Sequence, residues 1–159
     1  QSPRVSQQQI ANIEYALSRG GRYADLMDII NANSDKFWLN MAKQIQIRCS
    51  EEGYSLYKNW KDKEGRLTLS KWLEKTYNSQ NKLCAISKTE MTLKVAESKS
   101  INNSYKCSPD RKNSNRGYYP SNIWLVTTWV NMMKSNFPLD IFLDRISILY
   151  ESRKLNDKT

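Results

Sequence analysis

Residues 105–134 read YKCSPDRKNSNRGYYPSNIWLVTTWVNMMK, and the structural signals along this segment are clearer than elsewhere in the chain. Tyr105 to Lys112 has the composition of a short strand. The polar run 113–116 followed by Gly117 predicts a turn, because these residue types favour turn conformations. The segment therefore starts as a strand that ends in a tight polar loop.

The second half of the segment changes from strand to helix. Ile123-Trp-Leu-Val126 is a short apolar strand. Thr127 or Thr128 can then cap a helix that runs to Lys134. The order strand, loop, strand, helix predicts a hairpin with a helix that follows it directly.

The residues before this segment predict helices. Ser6 can cap a helix that continues to about Arg19 and ends at Gly20-Gly21, and a short helix is expected near Tyr23 to Asn31. Ser34 is the next cap candidate, for a helix that stops at Gly53. Its apolar residues recur with helical spacing and predict a buried face: Trp38, Met41, Ala42, Ile45 and Cys49.

The middle of the chain is more polar. Segment 54–66 is rich in Lys around Trp60 and predicts a loop or a weak helix. Leu67 to Tyr77 predicts a helix with Trp72, Leu73 and Tyr77 inward, followed by a polar connection at 78–81.

Three further segments complete the organisation. Lys82 to Ile86 fits a short strand, and 88–103 is polar and irregular, which indicates a loop. Pro138 starts a last helix, with Phe142, Ile146 and Leu149 on its apolar side. We expect an α+β fold with a helical lobe at 1–80 and a module at 81–155, whose C-terminal helix packs back on it.

The charge is strongly positive and unevenly distributed. The chain has 25 Lys and Arg against 16 Asp and Glu, a net charge of +9. Residues 82–136 hold nine Lys and Arg against three Asp and Glu, net +6. This balance suits a polyanionic partner such as nucleic acid, although a basic surface that serves only solubility is the alternative.

Cysteine and histidine usage limits the chemistry. The three cysteines, Cys49, Cys84 and Cys107, form no C-x-x-C pair and predict reduced thiols in a cytoplasmic protein. Because the chain has no His, we expect no zinc site. The N-terminal residues have no apolar leader-like run, and no segment is apolar enough for a membrane span, so we expect a soluble, non-exported protein.

Two oxygen-bearing side chains are candidate metal ligands. The order strand, loop, strand, helix can bring Asp110, at the end of the first strand, against Asn131 on the helix. A carboxylate and a carboxamide oxygen are hard ligands that suit Mg²⁺, with waters and a substrate phosphate completing the shell.

The ordered set D-R-x-x-x-x-x-G-Y-x-x-x-N, from Asp110 to Asn122, resembles the ββα-metal motif of HNH (His-Me finger) endonucleases, especially the branch found in phage and restriction nucleases. The resemblance implies that Asp110 and Asn131 bind the metal, that Asn122 braces the loop, and that Lys134 meets a phosphate. The segment 83–90 also resembles the strand and turn that precede this motif, so the similarity covers about 67–150.

The departure from the family pattern is Arg111, which stands where the family has its His general base. A guanidinium stays protonated, so Arg111 can only clamp phosphate or stabilise transition-state charge. Another group or a metal-bound hydroxide must then take the proton. The candidate side chains in the sequence are Tyr105, Tyr118, Tyr119 and Glu90.

The resemblance implies a Mg²⁺- or Mn²⁺-dependent endonuclease that hydrolyses phosphodiester bonds in DNA, most naturally double-stranded. Lys112, Arg116 and Lys134 are the expected nucleic-acid contacts. The alternative is a nucleic-acid-binding protein that retains the HNH fold without catalysis. The oligomeric state is left open, a homodimer included.

Overall fold

A computed structural model describes residues 7–8, 10–11, 23–93 and 103–158 of the chain. The elements in chain order are helices α1 (Tyr23–Glu52) and α2 (Asp62–Ser79), strands β1 (Cys107–Arg111) and β2 (Ile123–Thr127), and helices α3 (Thr128–Lys134) and α4 (Leu139–Asp157). The two strands form an antiparallel sheet. The α+β class is therefore confirmed, with helices first, then strands, then helices.

The N-terminal helices differ from the prediction in their bounds. Helix α1 is continuous from Tyr23 to Glu52, so the expected break at Ser34 is wrong. A serine inside a helix costs less than about 0.7 kcal/mol, and neither Gly nor Pro lies nearby to end the helix. The predicted helix from Ser6 to Arg19 lies largely outside the described residues, of which 7, 8, 10 and 11 are helical.

Helix α2 begins at Asp62 and not at Leu67, so the end of segment 54–66, expected to be a loop or a weak helix, is helical. The backbone of Trp60, in the 3-10 turn Lys58–Trp60, packs against this first turn. A Cβ at Gly65 would lie 2.3 Å from the carbonyl carbon of Trp60, so only glycine permits this contact.

A common hydrophobic core joins the helices to the hairpin. The stripe predicted on α1 is buried: Trp38, Met41, Ala42, Ile45 and Cys49. The same core contains residues of α2, β2 and α3: Leu69, Leu73, Tyr77, Leu125, Val126 and Val130. Trp72 packs at its edge and is only partly buried. All three cysteines are free and buried.

Residues 82–86 do not form the predicted strand. Leu83 makes an isolated bridge with Glu90, and the residues between them form a turn. At the edge of β2 where a strand would pair, the N–H and C=O of Leu125 bond the side-chain amide of Gln80 at 3.0 and 2.9 Å, and the same C=O also accepts from the Ala85 N–H at 3.0 Å. The segment therefore reaches this edge through the Ala85 N–H but turns there and does not continue as a strand.

Strand β1 is shorter than the predicted strand 105–112, and the start of α3 differs from the predicted cap. The strand begins at Cys107, so Tyr105 lies in the preceding turn. Thr127 is the N-cap of α3 but makes no side-chain cap bond. The hydroxyl of Thr128 donates instead to the Lys106 carbonyl at 2.9 Å, which fixes the start of α3 against the residue before β1.

Helix α4 starts after Pro138, as predicted, but only its first half packs inward. Of the three residues expected on its apolar side, Phe142 is buried and Ile146 half-buried, whereas Leu149 is 66% exposed. The apolar residues of α4 are spread around the helix, so no one face can bury them all. Among the described residues, no helix has the length and apolar character that a bilayer crossing requires.

Candidate nucleic-acid interface and the Asp110 site

The hairpin register determines what Asp110 and Arg111 contact. Asp110 lies opposite Trp124 and Arg111 opposite Ile123. Because successive side chains of a strand point to opposite faces, these two neighbours enter different surroundings. Asp110 faces α3, and Arg111 faces Tyr54 and Tyr118.

Both carboxylate oxygens of Asp110 have partners. The indole N–H of Trp124 donates to Oδ2 at 2.7 Å. The Lys134 ammonium lies 3.3 Å from Oδ1 and 3.3 Å from Oδ2, and also donates to the Arg111 carbonyl at 3.4 Å. The Lys134 and Asp110 side chains are only 1% and 5% exposed. Asp110 thus lies in a buried ion pair, and the expected phosphate contact, Lys134, lies inside the protein.

Asn131 lies one helical turn before Lys134 and faces β1. Its side-chain N–H donates to the Ser108 hydroxyl at 3.0 Å, with a longer contact of 3.5 Å to the Pro109 carbonyl. The helix therefore brings Asn131 to the strand that carries Asp110, as the spacing predicts. The contacts that the structure gives its side chain are through the amide nitrogen.

This arrangement does not fit a resident Mg²⁺. The carboxylate of Asp110 already holds the Lys134 ammonium. A divalent ion would have to displace a buried cation from Asp110. The donors are one neutralised carboxylate and one carboxamide.

Arg111 is buried, with 7% of its surface exposed. Its guanidinium carbon lies 3.9 Å from the ring centre of Tyr54 and 5.4 Å from that of Tyr118. One terminal nitrogen donates to the carbonyls of Ser114 and Arg116 at 2.9 and 3.1 Å. These contacts join the loop after β1 to the chain that follows α1.

Asn122 is buried and bonds the backbone of the same loop. Its oxygen accepts from the Asn113 N–H at 3.0 Å, and its nitrogen donates to the carbonyls of Asn113 and Gly117 at 3.0 and 2.8 Å. The side chain thus closes the loop at both ends. This is the bracing geometry expected from the sequence.

The end of the loop pairs with the segment after α1. The Tyr118 N–H donates to the Ser55 carbonyl at 2.8 Å, and the Tyr57 N–H donates to the Tyr118 carbonyl at 2.9 Å. At Gly117 a Cβ would lie 2.1 Å from the Ser55 oxygen. Glycine is therefore required here by the close approach of two backbones.

The four candidate proton acceptors do not gather around Asp110. Tyr118 is buried beside Arg111, and burial raises its pKa despite the opposing charges of Arg48 and Arg111. A phenol with a raised pKa is a poor base near neutral pH. Tyr119 is half-buried, and Tyr105 is 47% exposed in the turn before β1. The backbone of Glu90 forms an isolated β-bridge with that of Leu83.

The surface beside the loop is cationic. Lys112 and Arg116 are exposed, and the Lys112 ammonium lies 5.5 Å from the centre of the Trp124 ring. Between 103 and 139 the only acidic residue is Asp110, which Lys134 neutralises. An open cleft of about 490 Å³ borders the loop, and no acid lines it: Tyr54, Arg111, Lys112, Asn113, Ser114, Asn115, Asn136 and Pro138.

Three residues of this site were not found from the sequence. Trp124 could have been found from the sequence. The length of the loop fixes the register of the hairpin, and this register places Trp124 opposite Asp110. Tyr54 and Ser108 could not have been found in this way. Tyr54 is far from Arg111 in sequence, and Ser108 is an ordinary strand serine until the position of Asn131 is known.

Comparison with known proteins found no relative of the chain. No protein-family model matches the chain, and no curated protein or solved structure matches it.

Proposed function

We propose that the chain is a nucleic-acid-binding protein whose β1–β2–α3 module contacts duplex DNA without a metal ion. The observation that supports this most is the Lys134 ammonium, equidistant from the two carboxylate oxygens of Asp110 at 3.3 Å. A cation of the protein thus occupies the place at Asp110 that the HNH resemblance assigns to a metal. Removing either partner would leave a buried charge uncompensated, which makes the pair a stable part of the fold.

The charges around the loop support a polyanionic ligand. With Asp110 neutralised, the surface cations Lys112 and Arg116 have no acidic neighbour within residues 103–139 of the sequence. The side chains of Asn122 and Arg111 bond backbone groups of the loop between them, which favours its observed conformation. Cations on an already ordered loop lose less entropy when they meet phosphates, so binding is stronger.

The test is fluorescence anisotropy of a labelled DNA duplex over a salt series in EDTA. Lys112→Ala/Arg116→Ala should weaken binding and reduce the slope of log K against log salt by about 2, since each lost phosphate contact contributes about 0.9. The control Lys71→Ala/Lys75→Ala removes two exposed cations of α2 and should leave the slope unchanged. Equal effects of the two variants would indicate non-specific charge attraction and not a site at the loop.

A second candidate, a metal-dependent DNA endonuclease, is favoured by one observation. Asn131 lies against β1, the strand that carries Asp110, and Asn122 bonds both ends of the loop, and these contacts are compatible with the roles that the HNH resemblance implies for these two residues. Nicking of supercoiled plasmid in Mg²⁺ or Mn²⁺, abolished by EDTA and by Asp110→Asn, would establish this candidate and refute metal-free binding as the whole function.

A further inference from the structure

Helix α4 exposes a row of apolar side chains along one side. Ile141, Ile148 and Leu155 are 42%, 60% and 67% exposed. They are spaced seven residues apart, which is close to two helical turns, so they lie in one line. A line of large apolar residues on an exposed helix is typical of a contact with another helix.

We propose that this line binds the same line of a second copy of the chain, with the two α4 helices antiparallel and Ile148 on the two-fold axis. Ile141 and Leu155 are equally far from Ile148 in sequence. A two-fold axis through Ile148 therefore places Ile141 opposite the partner's Leu155, and Leu155 opposite the partner's Ile141. Such self-complementarity is what a symmetric dimer interface requires.

The charged residues beside this line favour a second copy of the chain as the partner, with its α4 antiparallel. The same two-fold operation places Arg145 opposite the partner's Glu151, and Glu151 opposite the partner's Arg145. Both residues are exposed, and within the chain Glu151 lies 3.5 Å from the Lys154 ammonium while the Arg145 guanidinium lies 4.4 Å from the centre of the Phe137 ring. A parallel pair would place Arg145 against Arg145 and Glu151 against Glu151, where like charges repel. Antiparallel self-association is thus the arrangement that matches both the apolar line and the charges.

The contact is modest in size. One pair of helices of this length buries less than the roughly 800 Å² per partner of a standard interface. We therefore expect a dimer that dissociates on dilution. Because α4 lies outside the loop that carries Lys112 and Arg116, this dimer does not depend on DNA binding.

Analytical ultracentrifugation over a concentration series provides the first test. The unmodified chain should shift from monomer to dimer as concentration rises, whereas Ile148→Glu should stay monomeric. The control Ser147→Glu adds the same charge at the neighbouring exposed position, off the apolar line, and should dimerise like the parent. A parent that stays monomeric at every concentration, or an Ile148→Glu variant that still dimerises, would overturn the proposal.

Cysteine cross-linking tests the register. The native cysteines are buried, so an introduced surface thiol is the one that oxidises readily. Ile148→Cys should give a covalent dimer, Ile141→Cys alone should not, and Ile141→Cys/Leu155→Cys should. Cross-linking by Ile141→Cys alone would indicate parallel helices and contradict the proposal. In the charge test, Arg145→Glu should weaken the dimer, and the added change Glu151→Arg should restore it.

Discussion

The ammonium of Lys134 lies 3.3 Å from each carboxylate oxygen of Asp110, and the pair is almost completely buried. Lys134 is one helical turn beyond Asn131 on α3, and Asp110 is near the end of β1. The pair therefore joins the helix to the hairpin at the point where the sequence predicts a metal. How the module works depends on whether this lysine ever leaves the carboxylate.

Breaking the pair should destabilise the fold strongly. Lys134→Met leaves the Asp110 carboxylate buried without its cation, and we expect a loss of about 3–5 kcal/mol in the free energy of unfolding. Adding Asp110→Asn should recover most of this loss, because the amide oxygen can still accept from Trp124. Urea denaturation measures both. Equal stability of Lys134→Met and the parent would mean that the pair is open in solution.

Lys134→Ala should create a divalent-cation site that the parent lacks. The alanine leaves space beside an uncompensated carboxylate, so Mn²⁺ at about ten times its Kd should stabilise this variant by about 1.4 kcal/mol. Thermal melts with and without Mn²⁺ give the shift. The parent and Asp110→Ala/Lys134→Ala should show none. A comparable shift in the parent would mean that metal reaches Asp110 with Lys134 present.

Asn122→Ala should cost about 1–3 kcal/mol in the free energy of unfolding, because it leaves buried backbone groups of the 113–117 loop without their partners. Asn115→Ala, in the same loop but exposed, should change it by less than about 0.5 kcal/mol. Urea midpoints compare the two. Similar midpoints for both variants would contradict the bracing role of Asn122.

Tyr77 should make stability fall at alkaline pH. Burial, followed by the nearby Cys107 and Glu90, raises the pKa of Tyr77 from 10.0 to about 12. The unfolded chain then loses this proton before the folded one, so the contribution is complete below pH 10 and declines as pH rises toward 12. Tyr77→Phe, which also loses the bond to the Met91 carbonyl, should be less stable at about pH 8 but decline less by about pH 11. Parallel declines of the parent and the variant would contradict this.

The local patterns predicted much of the fold. The α1 stripe at Trp38 to Cys49, both hairpin strands and the start of α4 follow from apolar periodicity and turn residues. The predictions are wrong where a contact from a distant part of the chain determines the local structure. At 82–86, where a strand was expected, the chain turns, and the edge of β2 bonds the Gln80 side chain and the Ala85 N–H. For α4, periodicity could not show that the helix extends beyond the body that would bury Leu149.

Part of the membership of the candidate site was predictable, but its bonding was not. Sequence spacing places Asp110, Asn122 and Asn131 around one hairpin, and they are found there. Spacing alone could not tell that Lys134 turns inward to Asp110, because a lysine on a short helix reaches solvent just as easily. It also could not reveal that Arg111 stacks on Tyr54, a residue of another part of the chain.

The proposed metal-free DNA binding is tested most directly by one titration of the unmodified protein with a labelled duplex in EDTA, repeated in Mg²⁺. If Lys134 takes the place at Asp110 that the HNH resemblance assigns to a metal, the two Kd values should agree within about twofold at equal ionic strength, and the duplex should be recovered intact. Binding that appears only with Mg²⁺, or a duplex that is cut in its presence, would contradict this account and indicate that a divalent ion displaces Lys134 from Asp110.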